Sequence, residues 1–175
     1  MGDAFGWTAF AVAIVVLLGF YVSWRATRLD RLHARVETAW AALDAALLRR
    51  SAVSLDLAGS RYLDPATSLL LATAAHEANM AGPERRELAE SDLSRALRAG
   101  IDQPDLDGRP DTDDRFADVG AATRGVLIAR RFYNDAVRVT LTQRARWLPR
   151  TLHLAGSAPN PIFFEIDDAP PRRIT

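Results

Sequence analysis

The stretch from residue 112 to residue 150 carries the most regular pattern of apolar positions in the chain. Mostly apolar side chains recur there at steps of three and four residues, which places them on one stripe of an α-helix. No proline interrupts the stretch before Pro149, although Gly120 and Gly125 lower the helix propensity of its first half. We therefore predict a long last helix. Its stripe consists of Phe116, Val119, Thr123, Val126, Tyr133, Val137, Leu141 and Leu148.

A second long stripe lies nearer the N-terminus. Steps of three and four residues again predict a helix, from Ser23 to about Arg61, with a length of roughly 55–60 Å at 1.5 Å per residue. Gly59 and Pro65 bracket its end, as helix-terminating residues do. The stripe consists of Leu29, Leu32, Val36, Trp40, Leu43 and Leu47.

Two shorter helices are predicted between the long ones. Asp64-Pro65 has the form of an N-cap followed by proline at the first helical position, and this helix should end near Met80. The next helix should begin at Pro83-Glu84 and end at Gly100, with its acidic first turn suiting the helix dipole. The predicted buried positions are Leu69, Leu70, Ala74 and Ala78 in one helix, and Leu88, Leu93, Ala96 and Leu97 in the other.

Helices with one apolar stripe must bury it, so the predicted fold is an all-α antiparallel bundle of about four helices, with the first and last long. Prolines at four positions exclude a helix in the C-terminal tail. The apolar run 162–166 could lie along the bundle as an extended segment. The predicted organisation is a membrane anchor at 1–24, a helical bundle at 25–154 and an irregular tail at 155–175.

The N-terminal anchor is predicted from residues 4–24, which are 21 residues without a charge. As a helix they would span roughly 30 Å, the thickness of the hydrocarbon core of a bilayer. Trp7 lies near one end and Trp24 near the other, where interfacial aromatic residues are common. A cleaved signal peptide is the alternative. It would need a basic start and a small-residue cleavage site, whereas Asp3 is the only charged residue before the apolar run.

The charges beside the anchor predict its orientation in the cell membrane. No basic residue precedes it, and Arg25, Arg28, Arg31 and Arg35 follow it. The positive-inside rule then places the short N-terminus outside and the C-terminal domain in the cytoplasm, as in a single-pass membrane protein.

Overall composition excludes several classes of function. The chain has 22 basic and 22 acidic residues, and all of the basic residues are arginine. A neutral balance argues against a nucleic-acid partner, which requires a basic face. The absence of cysteine rules out disulfides, thiolate zinc sites and a cysteine nucleophile.

Three segments carry a resemblance to a known family. They are residues 129–137 (ARRFYNDAV), Leu148-Pro149 and Ile162-Phe163-Phe164-Glu165. Over residues 112–166 the chain resembles a divergent member of the LemA family, and Leu47-Leu48-Arg49-Arg50 fits that family loosely. LemA proteins are bacterial proteins with one N-terminal membrane span and a helical-bundle domain, and the family has no settled biochemical role. The resemblance implies a fold and a membrane location, but no reaction.

Candidate metal sites are weak. His33, His76 and His153 are not arranged in a metal-binding motif: His76-Glu77, for example, lacks the second histidine of a zinc protease. Residues 103–114 imitate a calcium loop through Asp105, Asp107, Gly108 and Asp114. Glutamine stands at the first ligand position, however, and the bidentate glutamate is missing. We therefore expect no metal, no cofactor and no catalytic residue. We interpret the loop as a solvated turn in which Asp111, Thr112 or Asp113 caps the last helix.

Arginines within the apolar stripes are the unusual feature of the sequence. Arg130 and Arg144 fall near the centre of the last stripe, and Arg50 and Arg61 fall close to the centre of the first. Their long side chains could reach solvent at the edge of the stripe. They could instead form buried arginine–carboxylate pairs that fix helix register, or bind an anionic ligand.

Two further positions complete the set of candidate interaction residues, Arg50, Arg130, Tyr133 and Asn134. Tyr133 lies on the stripe of the last helix, so its ring should face the first helix. Asn134 lies nearer the edge, where its amide could bond to a neighbouring helix or loop. Phe132 falls on the opposite side of the helix, where it is either an ordinary exposed aromatic or part of a partner surface.

The pattern as a whole favours a membrane-anchored, non-enzymatic scaffold or interaction module with an unidentified protein partner. The alternative is a membrane-tethered sensor that binds a small ligand or anion between helices near Arg50 and Arg130. An enzyme ranks third, because the sequence has no recognisable catalytic constellation.

Overall fold

Four α-helices make up most of the part of the chain that can be described. The computed structural model describes residues 2–60, 62–103, 114–145 and 160–174. No strand occurs within these ranges, so the all-α class is confirmed. The elements are α1 (Gly2–Ala58), α2 (Pro65–Met80), α3 (Arg86–Ile101), α4 (Asp114–Arg144) and a 3₁₀ turn at Arg172–Ile174.

Helix α1 covers the predicted anchor stretch and the predicted first bundle helix, and it ends at Ala58, slightly before the predicted end near Arg61. It is continuous over 57 residues, so the apolar N-terminal stretch and the first bundle helix form one element. The Gly59 N–H donates to the Leu55 carbonyl over 2.9 Å, which closes the last turn. Within the described residues, none of the helices combines the length and the apolar character needed to cross a bilayer.

The chain divides into two compact units. Unit 1 comprises residues 1–38 and 135–162, and unit 2 comprises residues 39–134 and 163–175, so α1 and α4 contribute to both. Within unit 1, Val137 and Thr140 are fully buried.

The main core of unit 2 is apolar and is built from all four helices. Helix α3 lies close to the start of α2, because Gly100 is packed against Thr67: a Cβ atom at Gly100 would lie only 3.1 Å from the Thr67 methyl group. The buried core residues are Leu57, Ala58, Leu63, Leu71, Ala75, Ala78, Leu93, Leu97, Ile101 and Val119.

The predicted start of α2 is confirmed in detail. The Asp64 carboxylate accepts hydrogen bonds from the backbone N–H groups of Ala66 (3.0 Å) and Thr67 (3.1 Å). Hydrogen bonds from Thr67, first from its side chain and then from its backbone, lower the pKa of Asp64. Because the cap and Pro65 act locally, both ends of this helix match the sequence prediction.

Three of the buried positions predicted for the two short helices are wrong. Leu69, Leu70 and Leu88 are exposed to solvent. Helix α3 begins at Arg86 rather than at residue 83 and ends at Ile101 rather than at Gly100. Its buried face runs through Glu90, Leu93, Ser94, Leu97, Gly100 and Ile101, which turns Leu88 outward.

Helix α4 follows its predicted stripe, with Val119, Thr123, Val126, Tyr133 and Val137 all buried. The helix ends at Arg144, whereas the predicted stretch extended to residue 150. The predictions for Arg61, His153, Leu148 and the acidic loop with Asp105 and Asp107 lie outside the described residues and stay predictions.

Candidate functional site

Arg50 is a buried cation that joins α1 to α3. Its side chain is 1% exposed, and its Nη2 lies 2.7 Å from Oε2 of Glu90, which is fully buried. Nη2 also donates to the Glu90 carbonyl over 3.1 Å, and Nη1 donates to the Ser94 hydroxyl over 2.9 Å. Of the three interpretations of the stripe arginines, the buried arginine–carboxylate pair is the one found at Arg50.

The buried pair extends into a four-residue network of balanced charge. Arg86 Nε donates to the second oxygen of Glu90 over 3.1 Å, and Arg86 Nη2 lies 2.8 Å from Oδ1 of Asp44. Both oxygens of Glu90 are therefore engaged by guanidinium groups. The two guanidinium groups give the buried carboxylate both hydrogen bonds and opposite charge, and they link α1 to α3. The role is structural, because removal of one group leaves its partner unpaired. The partnership of Arg50 with Glu90 was missed at the sequence level.

Tyr133 packs where its position on the stripe predicted. Its side chain is 6% exposed, and its ring centroid lies 5.3 Å from that of Trp40 on α1, with the ring planes tilted by 60°. Burial and, secondarily, the negative charge of Glu87 raise the pKa of the Tyr133 hydroxyl. The ring thus belongs to the packing between α1 and α4.

Asn134 binds the backbone of the C-terminal tail. Its Oδ1 accepts from the Phe164 N–H over 2.9 Å, and its Nδ2 donates to the Phe164 carbonyl over 3.1 Å. A single amide therefore pairs with both polar groups of one residue, as a neighbouring strand would. The predicted bond from Asn134 to a neighbouring element is confirmed, and that element is the tail.

The tail continues along α3, whose side chains bind its backbone. The Glu165 N–H donates to Oε1 of Glu87 over 2.7 Å, and the Asp167 N–H donates to the Ser91 hydroxyl over 3.1 Å. Arg98 Nη1 donates to Oδ1 of Asp167 over 3.0 Å and to the carbonyl of Ala169 over 2.8 Å. Residue numbers rise together along α3 and the tail, so the two run in the same direction.

Arg130 completes the attachment of the tail from α4. Its Nη2 lies 2.7 Å from Oδ2 of Asp168, its Nε donates to the same oxygen over 3.0 Å, and its Nη1 lies 3.3 Å from Oε2 of Glu165. The guanidinium is 18% exposed, so this pairing lies at the edge of the bundle. The Arg130 side chain therefore does not extend freely into solvent, and it is not fully buried either.

The ion pair of Asp167 with Arg98 makes the attachment of the tail sensitive to acid. A hydrogen bond from Arg98 holds the pKa of Asp167 below its usual value of 3.8. A carboxylate with a lowered pKa contributes its full stabilisation above the unfolded pKa, and that contribution is lost as the pH falls through the folded pKa.

We therefore expect Asp167→Asn to lower the melting temperature at neutral pH, and the difference from the wild type to shrink at about pH 3. Thermal unfolding followed by circular dichroism at both pH values measures the effect. An unchanged difference between wild type and variant would show that the charge of Asp167 does not hold the tail.

The remaining candidate residues are distributed over both units. In unit 1, Arg144 Nη1 lies 3.1 Å from His33 Nε2. In unit 2, His76 lines a cavity of about 250 Å³ at the end of α2, together with Met80, Arg85 and Asp92. Among the described residues, no group of three or more His, Cys, Asp or Glu side chains could hold a metal ion.

The geometry brings Arg130 and Asn134 together at the tail and packs Tyr133 against Trp40. It places Arg50 in the buried network with Glu90. Comparison of the chain with models of known protein families finds no match, and comparison with curated proteins finds none either.

Proposed function

We propose that this chain is a membrane-anchored helical-bundle protein of the LemA type that acts as a non-enzymatic scaffold or protein-interaction module. The observation that carries the proposal is the state of the N-terminal part of α1. Every described side chain between residues 6 and 24 is exposed, including Trp7, Phe10 and Phe20. A helix that exposes apolar side chains over this length is stable where lipid covers them.

The arrangement of charged groups supports a structural role for the bundle. The guanidinium groups of Arg50 and Arg130 are held by Glu90 and Asp168. In the alternative, a membrane-tethered sensor, an anionic ligand at Arg50 would have to displace the fully buried carboxylate of Glu90. We therefore rank the scaffold first. A small anion that raises the melting temperature of the wild-type chain, but not that of Arg130→Gln, would reverse this order.

Isolation of the tagged chain from native membranes tests the interaction role. We expect a protein partner to co-purify reproducibly in mild detergent. Absence of any partner enriched over an unrelated single-span protein would count against the scaffold.

We predict that the full-length chain stays in the membrane fraction after washing with carbonate at high pH, because residues 4–24 are long enough to span the hydrocarbon core. Immunoblotting of the pellet and supernatant measures this. A deletion of residues 4–24 is the matched control and should release the chain. A soluble wild-type protein whose N-terminus begins after Trp24 would instead identify a cleaved signal peptide.

We predict that the C-terminal domain lies in the cytoplasm, because the basic residues Arg25, Arg28, Arg31 and Arg35 all follow the apolar stretch. A reporter enzyme that is active only outside the cytoplasm should be silent when fused after Thr175. A reporter active only inside should give signal at the same position. The reverse pattern would show that the domain is translocated.

A further inference from the structure

We propose that the surface holding the C-terminal tail is a binding site for an extended peptide of a partner protein, with an aromatic anchor followed by acidic residues. We name this surface the tail groove. The chain's own residues 163–169, the tail segment, occupy it and compete with the partner. The inference rests on the proposed role as an interaction module and names the class of its partner. The tail groove is formed by Trp40, Glu87, Ser91, Arg98, Arg130 and Asn134.

Five hydrogen bonds in the tail groove are directed at backbone groups of the tail segment. Asn134 binds both backbone groups of residue 164, and Glu87 and Ser91 each accept one backbone N–H from the tail segment. Arg98 also donates to a backbone carbonyl. Backbone contacts of this kind do not depend on side-chain identity, and they are how grooves recognise extended peptides of different sequence.

One aromatic side chain anchors the tail segment. Phe164 is 5% exposed, and its ring meets that of Trp40 edge-on at a centroid distance of 5.6 Å. Phe164 lies outside the main core cluster of unit 2. The main core therefore forms without the Phe164 ring. The position of that ring beside Trp40 suits an aromatic side chain from another peptide.

Two arginines select for acidic residues after the anchor. Arg130 pairs with Glu165 and Asp168, and Arg98 pairs with Asp167. These carboxylates are between 20% and 69% exposed, so the pairs lie at the rim of the groove. Rim charges of this kind contribute orientation and selectivity more than affinity. The peptide that fits is an aromatic residue with carboxylates one, three and four positions later.

Attachment to the same chain gives the tail segment a high effective concentration in the groove, so a partner binds well only when the contacts of that segment are weakened.

The test uses the full-length chain in detergent and a fluorescein-labelled peptide of residues 160–172. Phe164→Ala weakens the tail through its anchor. A triple variant, Glu165→Gln, Asp167→Asn and Asp168→Asn, weakens it while keeping the anchor. Fluorescence anisotropy measures peptide binding to the wild type and to each variant.

We expect both weakened chains to bind the peptide at least about tenfold more tightly than the wild type. A peptide carrying Phe164→Ala should bind at least about tenfold more weakly. Adding Asn134→Ala to the weakened chains should abolish binding.

Three results would overturn the proposal. One is a lack of peptide binding by both weakened chains when circular dichroism shows wild-type helix content. Another is equal binding with and without Asn134. The third is a wild-type dimer that Asn134→Ala abolishes, because the groove would then take the tail of a second copy. The titration uses a synthetic peptide and is independent of co-purification from membranes, so either experiment can fail without the other.

Discussion

Replacing Glu90 with alanine is expected to lower the free energy of unfolding by about 3–5 kcal/mol. Removing this carboxylate leaves Arg50 as a buried cation whose remaining partners are neutral oxygens of residues 90 and 94. Arg86 keeps Asp44 as a partner and is less affected. The loss therefore comes mainly from the desolvated charge of Arg50, because isolated charges in a protein interior are strongly unfavourable.

Urea unfolding of a chain that begins at residue 25, followed by circular dichroism, measures this effect. The matched control is Asp92→Ala on the same helix. Asp92 pairs with Arg95, and both side chains are at least 40% exposed, so the control should lose less than about 1 kcal/mol. The comparison separates a buried from an exposed carboxylate on α3.

Removing both charges should restore much of the lost stability. Arg50→Met together with Glu90→Leu replaces the pair with apolar side chains, which is often neutral or stabilising at a buried site. If Glu90→Ala alone leaves the denaturation midpoint unmoved, the network does not hold α1 against α3. If the double variant is as unstable as the single one, the damage comes from packing and not from the unpaired charge.

Local signals determined how well each helix could be predicted from the sequence. Asp64 and Pro65 act within one turn, so the bounds of α2 follow from adjacent residues alone. Residues at the start of α3 provide no such cap: Arg85 makes no side-chain hydrogen bond to the helix. The predicted start at Pro83-Glu84 was accordingly three residues too early.

The buried face of α3 could not be predicted from hydrophobicity because a glutamate lies on it. A rule that assigns charged residues to solvent turns Glu90 outward and Leu88 inward, which is the reverse of the structure. The available signal was the set Glu90, Leu93, Ser94 and Leu97 at helical spacing, together with an arginine on the stripe of another helix. The specific pairing with Arg50, 40 residues away, is a tertiary contact.

The same distinction applies to the tail groove. The position of Asn134 at the edge of its stripe indicated that its amide could reach a neighbouring helix or loop, because local helix geometry sets that direction. The identity of the neighbour depends on a contact with residue 164, 30 residues away. Helical periodicity contains no information on such a pairing, so only the position of Asn134, and not that of its partner, was predictable.

Tyr133→Ala is expected to destabilise the chain beginning at residue 25 by about 3–5 kcal/mol, as aromatic truncations in protein cores do. The ring is buried and packs on Trp40, which in turn packs on Phe164. Truncation leaves a cavity beside the Trp40 ring, and the backbone of the packed helices cannot move far enough to fill it. Urea unfolding followed by circular dichroism measures the loss.

Phe132 supplies the matched control, since it is the adjacent aromatic residue on the same helix and is 67% exposed. Phe132→Ala should change stability by less than about 0.5 kcal/mol, as surface substitutions do. Tyr133→Phe keeps the ring and removes only the hydroxyl, so it should cost about 1 kcal/mol. A large loss for alanine with a small loss for phenylalanine identifies packing as the role of Tyr133. Similar losses of unfolding free energy for Tyr133→Ala and Phe132→Ala would mean that the ring at position 133 is not part of the core. Tyr133 would then be assigned to a binding surface.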